Sequence, residues 1–329
     1  MPILSRRRAI SVGLATIAAA NLPRFASAAP LDRLGIDYAY YNPPSLVLKK
    51  FGWLEDVLSK QGTKVEWVLS LGSNKGNEFV QSGAVQFGST AGSAAFLARA
   101  NGTPLRSVFL YSQPEWTAIV VGKNSKLSSL KELKGKKIAA TRGTDPWFFL
   151  LRALHSVGLS SNDVEIVELQ HPDGRVALER GQVDAWAGLD PHMAASQLEA
   201  GSRLLYRNIA WNTYGSLNAR EDFLAQHPDV VRTVLRVYNR AHEYAKTHPD
   251  ETAKILAEAS QLELRVADVV IKERTKYPSP IPGPAFLSSV RGVIPIIQAE
   301  QLVAGNKDLT VTLASLAEPR PAEAALASR

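Results

Sequence analysis

The residues best suited to chemistry in this chain are the glycines and hydroxyl side chains of three loops, each between a predicted strand and a predicted helix. The loops cover residues 88–93, 71–74 and 141–146, and Ser89 or Thr90 is the natural N-cap in the first. The first N–H groups of a helix have no partners within the helix, and they bind anions without a full cation. Three such loops at the carboxyl ends of predicted strands indicate a site for a small oxyanion.

The charged residues at and near these loops could each have more than one role. Asp145, as an N-cap, would put a negative charge at the helix start that an anion needs, and Pro146 removes one donor. Arg142 either clamps an anion or forms a salt bridge at the surface. Glu115 and Asp190 either meet an amine on the ligand or act as solvent-facing or capping residues.

Aromatic residues cluster at the same loops. They are Tyr41, Trp116, Trp147, Trp186 and Tyr214. Each one alone is more typical of a core or an interface than of a site. Several beside an anion site would suit an organic tail attached to an anionic head.

The elements that carry these loops alternate between strand and helix, which predicts parallel sheets with ligands at the carboxyl ends of the strands. The first block reads as strands 35–40, 64–69 and 85–87, with helices 45–58, 74–81 and 94–100. The second block reads as strands 136–140, 164–169 and 183–187, with helices 147–157 and 174–180. The run 117–122 would carry the chain between the blocks, and helices over 228–246, 249–259 and 263–276 follow. The tail from Pro319 is expected to fray.

The N-terminus has the pattern of an export signal. Arg6, Arg7 and Arg8 precede an apolar run of about a dozen residues and a small-x-small site that ends at Ala28. The run is too short for a membrane span. We expect cleavage after Ala28 and a periplasmic protein, while export by the Sec or the Tat route stays open.

Composition excludes several classes of function. The 329 residues include no Cys, which removes disulfides, thiolate metal sites and a cysteine nucleophile. Four of the 38 basic residues lie in the first 28 positions, so 34 basic and 31 acidic residues remain after them. The net charge of the chain after residue 28 is therefore close to zero, which predicts no nucleic-acid partner.

Catalysis and metal binding are also not expected. No Gly-x-Ser-x-Gly elbow is present, and no two of the six histidines have the i, i+4 spacing of helical metal ligands. His192 either faces the cleft or lies at the surface. We therefore predict no enzyme activity, no metal and no cofactor.

Four stretches resemble the aliphatic sulfonate-binding proteins, which belong with the nitrate- and taurine-binding proteins of ABC importers. The stretches are residues 87–90, 130–139, 149–154 and 183–191. The likeness runs from about residue 34 to about residue 304. It implies donors around Ser89-Thr90 and Gly143-Thr144, with Trp186 and Asp190 at the wall of the second lobe. The segments Asp145-Pro146-Trp147 and 91–93 depart from the family pattern, which puts the specificity for the ligand's tail in doubt, and taurine in particular.

The resemblance also implies a fold and partners. We predict an α/β, two-lobed periplasmic-binding-protein fold (type II), in which each lobe has a mixed, mainly parallel sheet flanked by helices and two crossing strands join the lobes. The partners would be a sulfonate ligand and the permease and ATPase of an ABC importer, with the protein a monomer. Taurine, nitrate, a carboxylate or an aryl sulfonate remain alternative ligands.

These inferences give a domain map and a set of candidate site residues. The map is signal peptide 1–28, first lobe 29–117, second lobe 118–213, helical return to the first lobe 214–310 and tail 311–329. The candidate ligand-binding residues are Tyr41, Asn42, Ser73, Asn74, Ser89, Thr90, Glu115, Trp116, Arg142, Gly143, Thr144, Trp147, Trp186, Asp190 and Tyr214.

Overall fold

A computed structural model describes residues 31–327, so the predicted signal peptide and its cleavage site lie outside the described residues. The strands are β1 (Arg33–Tyr38), β2 (Lys64–Leu69), β3 (Phe87–Ala91), β4 (Leu105–Pro114), β5 (Thr117–Val121), β6 (Lys137–Ala140), β7 (Glu165–Glu168), β8 (Ala185–Leu189), β9 (Arg203–Tyr206), β10 (Gly215–Arg220) and β11 (Thr275–Lys276).

Helices flank these strands throughout. They are α1 (Pro43–Phe51), α2 (Trp53–Leu58), α3 (Ser73–Ser82), α4 (Gly92–Ala100), α5 (Asp145–His155), α6 (His171–Glu179), α7 (His192–Ala200), α8 (Glu221–Gln226), α9 (Pro228–Thr247), α10 (Pro249–Ser260), α11 (Leu264–Asp268), α12 (Pro284–Arg291), α13 (Ile294–Ala299), α14 (Leu309–Ala314) and α15 (Arg320–Ala327). Within the described residues, no helix combines the length and apolar character needed to cross a membrane.

Two sheets define two lobes. The first sheet has the order β11-β4-β10-β3-β1-β2, and the second has the order β7-β6-β8-β5-β9. Both sheets are mixed, as predicted, but parallel pairs do not dominate. β1 pairs in parallel with β2 and β3, and β6 with β7 and β8, whereas β10, β5 and β11 pair antiparallel. Two of the antiparallel strands, β5 and β10, directly follow the two crossings between the lobes.

The chain crosses between the lobes twice, at Glu115-Trp116 and again between β9 and β10. Asn212 ties the crossings together, because its Oδ1 accepts hydrogen bonds from the backbone N–H groups of Trp116 at 3.1 Å and Thr117 at 3.0 Å. The O of Trp116 also accepts from the N–H of Asp190 at 2.9 Å. The two crossings are therefore joined to each other and to the end of β8.

The late helices return to the first lobe, where α9 packs on α1 with Leu235 and Tyr238 fully buried. The frayed tail predicted from Pro319 is wrong. Residues Arg320–Ala327 form α15, which packs on α9 and buries Ala322 and Ala325. These alanines, three residues apart, lie on one helical face, and small side chains allow the helices close approach.

Several predicted boundaries differ from the structure. The predicted helix 45–58 is two helices, because Gly52 adopts a left-handed φ of 65° between α1 and α2. The predicted helix 263–276 is α11, then a π-helical stretch Val269–Arg274, then β11. The strand predicted over 85–87 lies instead at Phe87–Ala91, so Ser89 and Thr90 are strand residues, paired with β10.

Candidate functional site

The crevice between the lobes brings the starts of α3 and α6 together. Gly72 is the N-cap of α3 and has no side chain to cap it, and α6 begins at His171 with no side-chain cap from Gln170. A Cβ placed on Gly72 would lie 3.2 Å from Cδ2 and 3.3 Å from Nε2 of His171. Two helix N-termini, one from each lobe, thus meet across the boundary with no capping side chain.

His171 is a neutral hydrogen-bond acceptor at this boundary. Burial lowers the pKa of His171 to about 3, and the nearby His192 adds to the shift. Thr141 Oγ1 donates its only proton to the O of Leu169 at 2.6 Å, so the 3.3 Å contact with His171 Nδ1 has the ring donating. Nε2 therefore carries the free lone pair. This atom and Oδ1 of Asn74 are buried and have no hydrogen-bond partner among the described residues.

His192 also lies at the boundary between the lobes. Its ring packs edge-on against Tyr40 at 6.4 Å between centroids. Burial, and next the charge of Arg175, lowers the pKa of His192 to about 4. Both boundary histidines are therefore uncharged at neutral pH.

The start of α4 has a different character, and the predicted caps there are wrong. Its N-cap is Ala91, and neither Ser89 nor Thr90 caps it. The N–H of Gly92 donates to the O of Tyr214 at 2.9 Å, and the N–H of Ser93 donates to Thr213 Oγ1 at 3.3 Å. Its first amides are therefore already used by the second crossing.

Asp145 occupies the space beside the start of α4. Its Oδ1 accepts from Ser93 Oγ at 2.5 Å and Thr213 Oγ1 at 2.9 Å. Its Oδ2 accepts from Trp116 Nε1 at 2.8 Å and the N–H of Thr213 at 2.9 Å. Asp145 is 2 % exposed, and it is the first residue of α5 rather than the N-cap, which is Thr144. One carboxylate thus joins α5 of the second lobe to α4 of the first lobe and to both crossings.

A second buried network supports the loop after β1. Asp37 Oδ1 accepts from the N–H of Ser89 at 2.8 Å and from its Oγ at 2.7 Å. Ser89 Oγ in turn accepts from Asn42 Nδ2 at 2.7 Å, and Tyr41 Oη donates to the O of Ser89 at 3.0 Å. Burial raises the pKa of Asp37 to about 6, while hydrogen bonds from Ser70 and Ser89 oppose the shift. Ser89, Asn42 and Tyr41 are therefore tied to the first lobe.

Asp190 forms an ion pair across the crevice. Both its oxygens accept from Arg274 Nη1 at 3.1 Å, and Oδ1 also accepts from the N–H of Ala194, near the start of α7. Burial raises the pKa of Asp190 to about 6, and Arg274 opposes the shift. Glu115 pairs with Arg207, its Oε1 lying 2.5 Å from Nη2. Both acids, for which the sequence allowed an amine or a structural role, are paired within the protein.

The remaining polar candidates lie around these clusters. Thr90 Oγ1 accepts from Asn218 Nδ2 at 2.7 Å, and Ser73 Oγ accepts from the N–H of Ala91 at 2.9 Å. Thr144 Oγ1 donates to the O of Thr141 at 2.6 Å, and open space surrounds Gly143. Arg142 is largely exposed, 3.1 Å from Glu168 Oε1 and 5.6 Å above the ring of Trp147.

The aromatic candidates are mostly buried. Trp116 packs edge-on against Tyr41 at 6.0 Å, and Trp147 contacts Phe148. Trp186 is 1 % exposed in the core of the second lobe, where Gly174 of α6 packs on its indole. Tyr214 is half-buried against Phe286.

Sequence reasoning missed four side chains that organise the crevice: Asp37, His171, Thr213 and Arg274. A carboxylate inside the apolar run of β1 was a usable signal for Asp37, because a buried charge needs partners. Nothing local distinguished the other three. Over residues 31–327, no group of acidic or histidine side chains forms a metal site.

Comparison with known proteins identifies the family. The model of the NMT1/THI5-like family matches residues 50–252. A putative aliphatic sulfonates-binding protein of Bacillus subtilis is 34% identical over 244 residues, covering 73% of each chain.

Two solved structures of sulfonate-binding proteins are similar to this chain. The alkanesulfonate-binding protein SsuA from Xanthomonas axonopodis pv. citri, bound to MOPS, gives a TM-score of 0.78 at 26% identity, covering 87% of this chain and 99% of that one. The periplasmic aliphatic sulphonate binding protein SsuA from Escherichia coli gives 0.73 at 25% identity, covering 88% and 92%. The chain has the periplasmic-binding-protein fold and belongs to the NMT1/THI5-like family.

Proposed function

We propose that this protein is a periplasmic binding protein that captures an organosulfonate between its lobes and delivers it to an ABC importer, as a monomer and without a chemical step. The relatives named for sulfonate binding support the ligand class. The observation that carries the proposal is the meeting of two helix starts without capping side chains, at Gly72 in the first lobe and His171 in the second.

The backbone donors of these helix starts suit a sulfonate, whereas the neighbouring acceptors Asn74 Oδ1 and His171 Nε2 cannot bond to its oxygens. A sulfonate is a permanent anion with three acceptor oxygens and no proton to give, so it needs donors. The first-turn amides of α3 and α6 supply them, except at Pro172 of α6, which has no N–H, and the helix dipoles add favourable potential. His171 and His192 are neutral, so they add no cationic charge that would favour a more highly charged anion. Donors from both lobes favour closure, because the ligand gains them all only when the lobes shut.

The aromatic side chains near the crevice support an organic tail on the ligand. Tyr40 lies at the boundary beside His192, and Tyr41 and Trp116 line a narrow pocket with Asp190 and Arg274. Nitrate has no tail to use such a wall. Taurine would bring an ammonium group to Glu115 or Asp190, both of which already have arginine partners.

A thermal-shift and calorimetry panel tests the proposal. Alkanesulfonates and arylsulfonates should stabilise the protein by about 2.7 kcal/mol at 100 times their Kd, whereas sulfate, nitrate and simple carboxylates should not. Stabilisation by nitrate or carboxylates without any by sulfonates would overturn the ligand class. Asn74→Pro removes one backbone donor from the first turn of α3, a position where α6 already carries Pro172. Equal affinity of Asn74→Pro and the native protein would place the head group away from the start of α3.

A further inference from the structure

The start of α4 holds a complete oxyanion site that the chain fills with its own carboxylate. Four donors converge there: two hydroxyls, one indole N–H and one backbone N–H, from Ser93, Trp116 and Thr213. All four are within 2.9 Å of an oxygen of Asp145, the distance of charge-assisted hydrogen bonds. Ser93 and Thr213 are fully buried, and Trp116 is 3 % exposed.

The donors come from segments that are distant in the sequence. Ser93 begins α4, Trp116 lies at the first crossing and Thr213 at the second, while Asp145 comes from the second lobe. No local turn or cap explains why four donors point at one place. The N–H of Ser93 also donates to Thr213 Oγ1, which orients that hydroxyl proton towards Asp145 Oδ1. The hydroxyl of Thr213 is thus oriented by a contact other than the one to the carboxylate.

We propose that Asp145 determines the specificity of the crevice by occupying this oxyanion site, so that the head group of an external ligand is excluded from the start of α4. The two donors at each oxygen match a planar carboxylate with two oxygens, rather than a tetrahedral sulfonate. An external oxyanion must then bind elsewhere in the crevice. This inference does not depend on the identity of the physiological ligand.

Removing the carboxylate should create a site for a small carboxylate ion. In Asp145→Ala, formate fits the space left by the missing group and methanesulfonate is too large for it. We expect formate to raise the melting temperature of Asp145→Ala by several degrees, saturating in the millimolar range, relative to chloride at equal ionic strength. The native protein should show no such difference. If Asp145→Ala does not fold in chloride, recovery of folding when formate replaces chloride gives the same evidence for formate binding.

Two control variants test the site itself. Asp145→Asn fills the same space without charge, so formate should not stabilise it. The triple variant Asp145→Ala, Ser93→Ala, Thr213→Val lacks two of the four donors, the two hydroxyls, and should show a much weaker response to formate.

The indole N–H resonance of Trp116 gives a direct measurement. It should move when Asp145 is replaced by Ala and move back when formate is added. Equal, unsaturable effects of formate on native protein and Asp145→Ala, with an unchanged Trp116 resonance, would overturn the proposal. Failure of sulfonate binding in the native protein would leave this result unaffected and would count only against the proposed function.

Discussion

The starts of α3 and α4 look alike in sequence and differ completely in the folded protein. Each follows a strand of the first sheet with glycine and serine, and each lacks a side-chain cap. At α4, the first amides donate to Tyr214 and Thr213, and the carboxylate of Asp145 lies alongside. At α3, no side chain caps the first turn, and the neighbouring acceptors on Asn74 and His171 are unpartnered.

The difference shows that a helix start can bind an anion only if no acceptor from elsewhere in the fold already occupies its amides. A helix start whose donors are already used stabilises the protein, whereas one whose donors are free can bind a ligand. The two therefore respond oppositely to mutation: changes at α4 should cost stability, and changes at α3 should cost affinity.

The largest expected effect is on stability at α4. Asp145→Ala leaves four buried donors without an acceptor, and we expect it to lower the free energy of unfolding by roughly 3–5 kcal/mol. Asn74→Ala is the matched change at α3, where Oδ1 has no partner, and should cost about 0.5 kcal/mol or less. Urea denaturation measures both. Similar losses in the two variants would remove the distinction between the helix starts.

The next effect is a pH dependence at the boundary beside α3. The pKa of His171 is lowered to about 3 in the folded protein, so the folded state binds fewer protons than the unfolded chain between that pH and 6.5. Stability is therefore lost as pH falls through this range. We expect the unfolding free energy of the native protein, relative to His171→Gln, to fall by about 2 kcal/mol between about pH 7.5 and about pH 5.

The comparison with His171→Gln isolates this contribution. Asp37 and Asp190, whose pKa values are raised to about 6, change stability in the opposite direction but are present in both proteins. A difference between the two proteins that does not vary with pH would show that His171 is not held neutral.

A smaller effect is expected on affinity at Gly72. In Gly72→Ala, the new Cβ would lie 3.2 Å from the ring of His171 and 2.7 Å from Asn74 Oδ1, so the Asn74 side chain and the His171 ring would have to shift. Its φ of −177° suits any residue, so folding of each lobe is unaffected. We expect the Kd of the sulfonate to rise about tenfold, close to 1.4 kcal/mol.

A control for Gly72→Ala lies in the second lobe. At Gly122, an added Cβ would meet only the O of Leu178, at 3.9 Å. Gly122→Ala should leave affinity unchanged in calorimetry. Equal affinity for both alanine variants would mean that the lobes do not close at Gly72.

The smallest effect is expected at Arg142. Its side chain is 67% exposed and pairs with the similarly exposed Glu168. Surface ion pairs of this kind contribute about 0–1 kcal/mol. We expect Arg142→Ala to change stability by less than about 0.5 kcal/mol and Kd by less than about twofold. A loss of affinity of tenfold or more would assign Arg142 to the anion site.

Elements set by local signals were predictable from the sequence. The strand at residues 64–69 was predicted at the bounds of β2, and α9 and α10 begin at Pro228 and Pro249 as predicted. These signals are local, since proline is favoured in the first turn of a helix and apolar β-branched runs favour strands.

The roles of residues that depend on contacts distant in the sequence could not be predicted. Ser89 and Thr90 have the composition of a helix cap, yet pairing with β10 makes them central strand residues. Asp145 reads as a poor N-cap until Ser93, Trp116 and Thr213 come together around it. The same limit applies to Arg274, which lies 84 residues beyond its partner Asp190.

Asn212 has a consequence for how the lobes move. Since one side-chain oxygen accepts hydrogen bonds from the backbone amides of Trp116 and Thr117, we expect the two linking segments to move together rather than independently. Two segments joined side by side bend together more easily than they slide past each other. We therefore expect the second lobe to open and close about one axis, so that the same two surfaces meet each time.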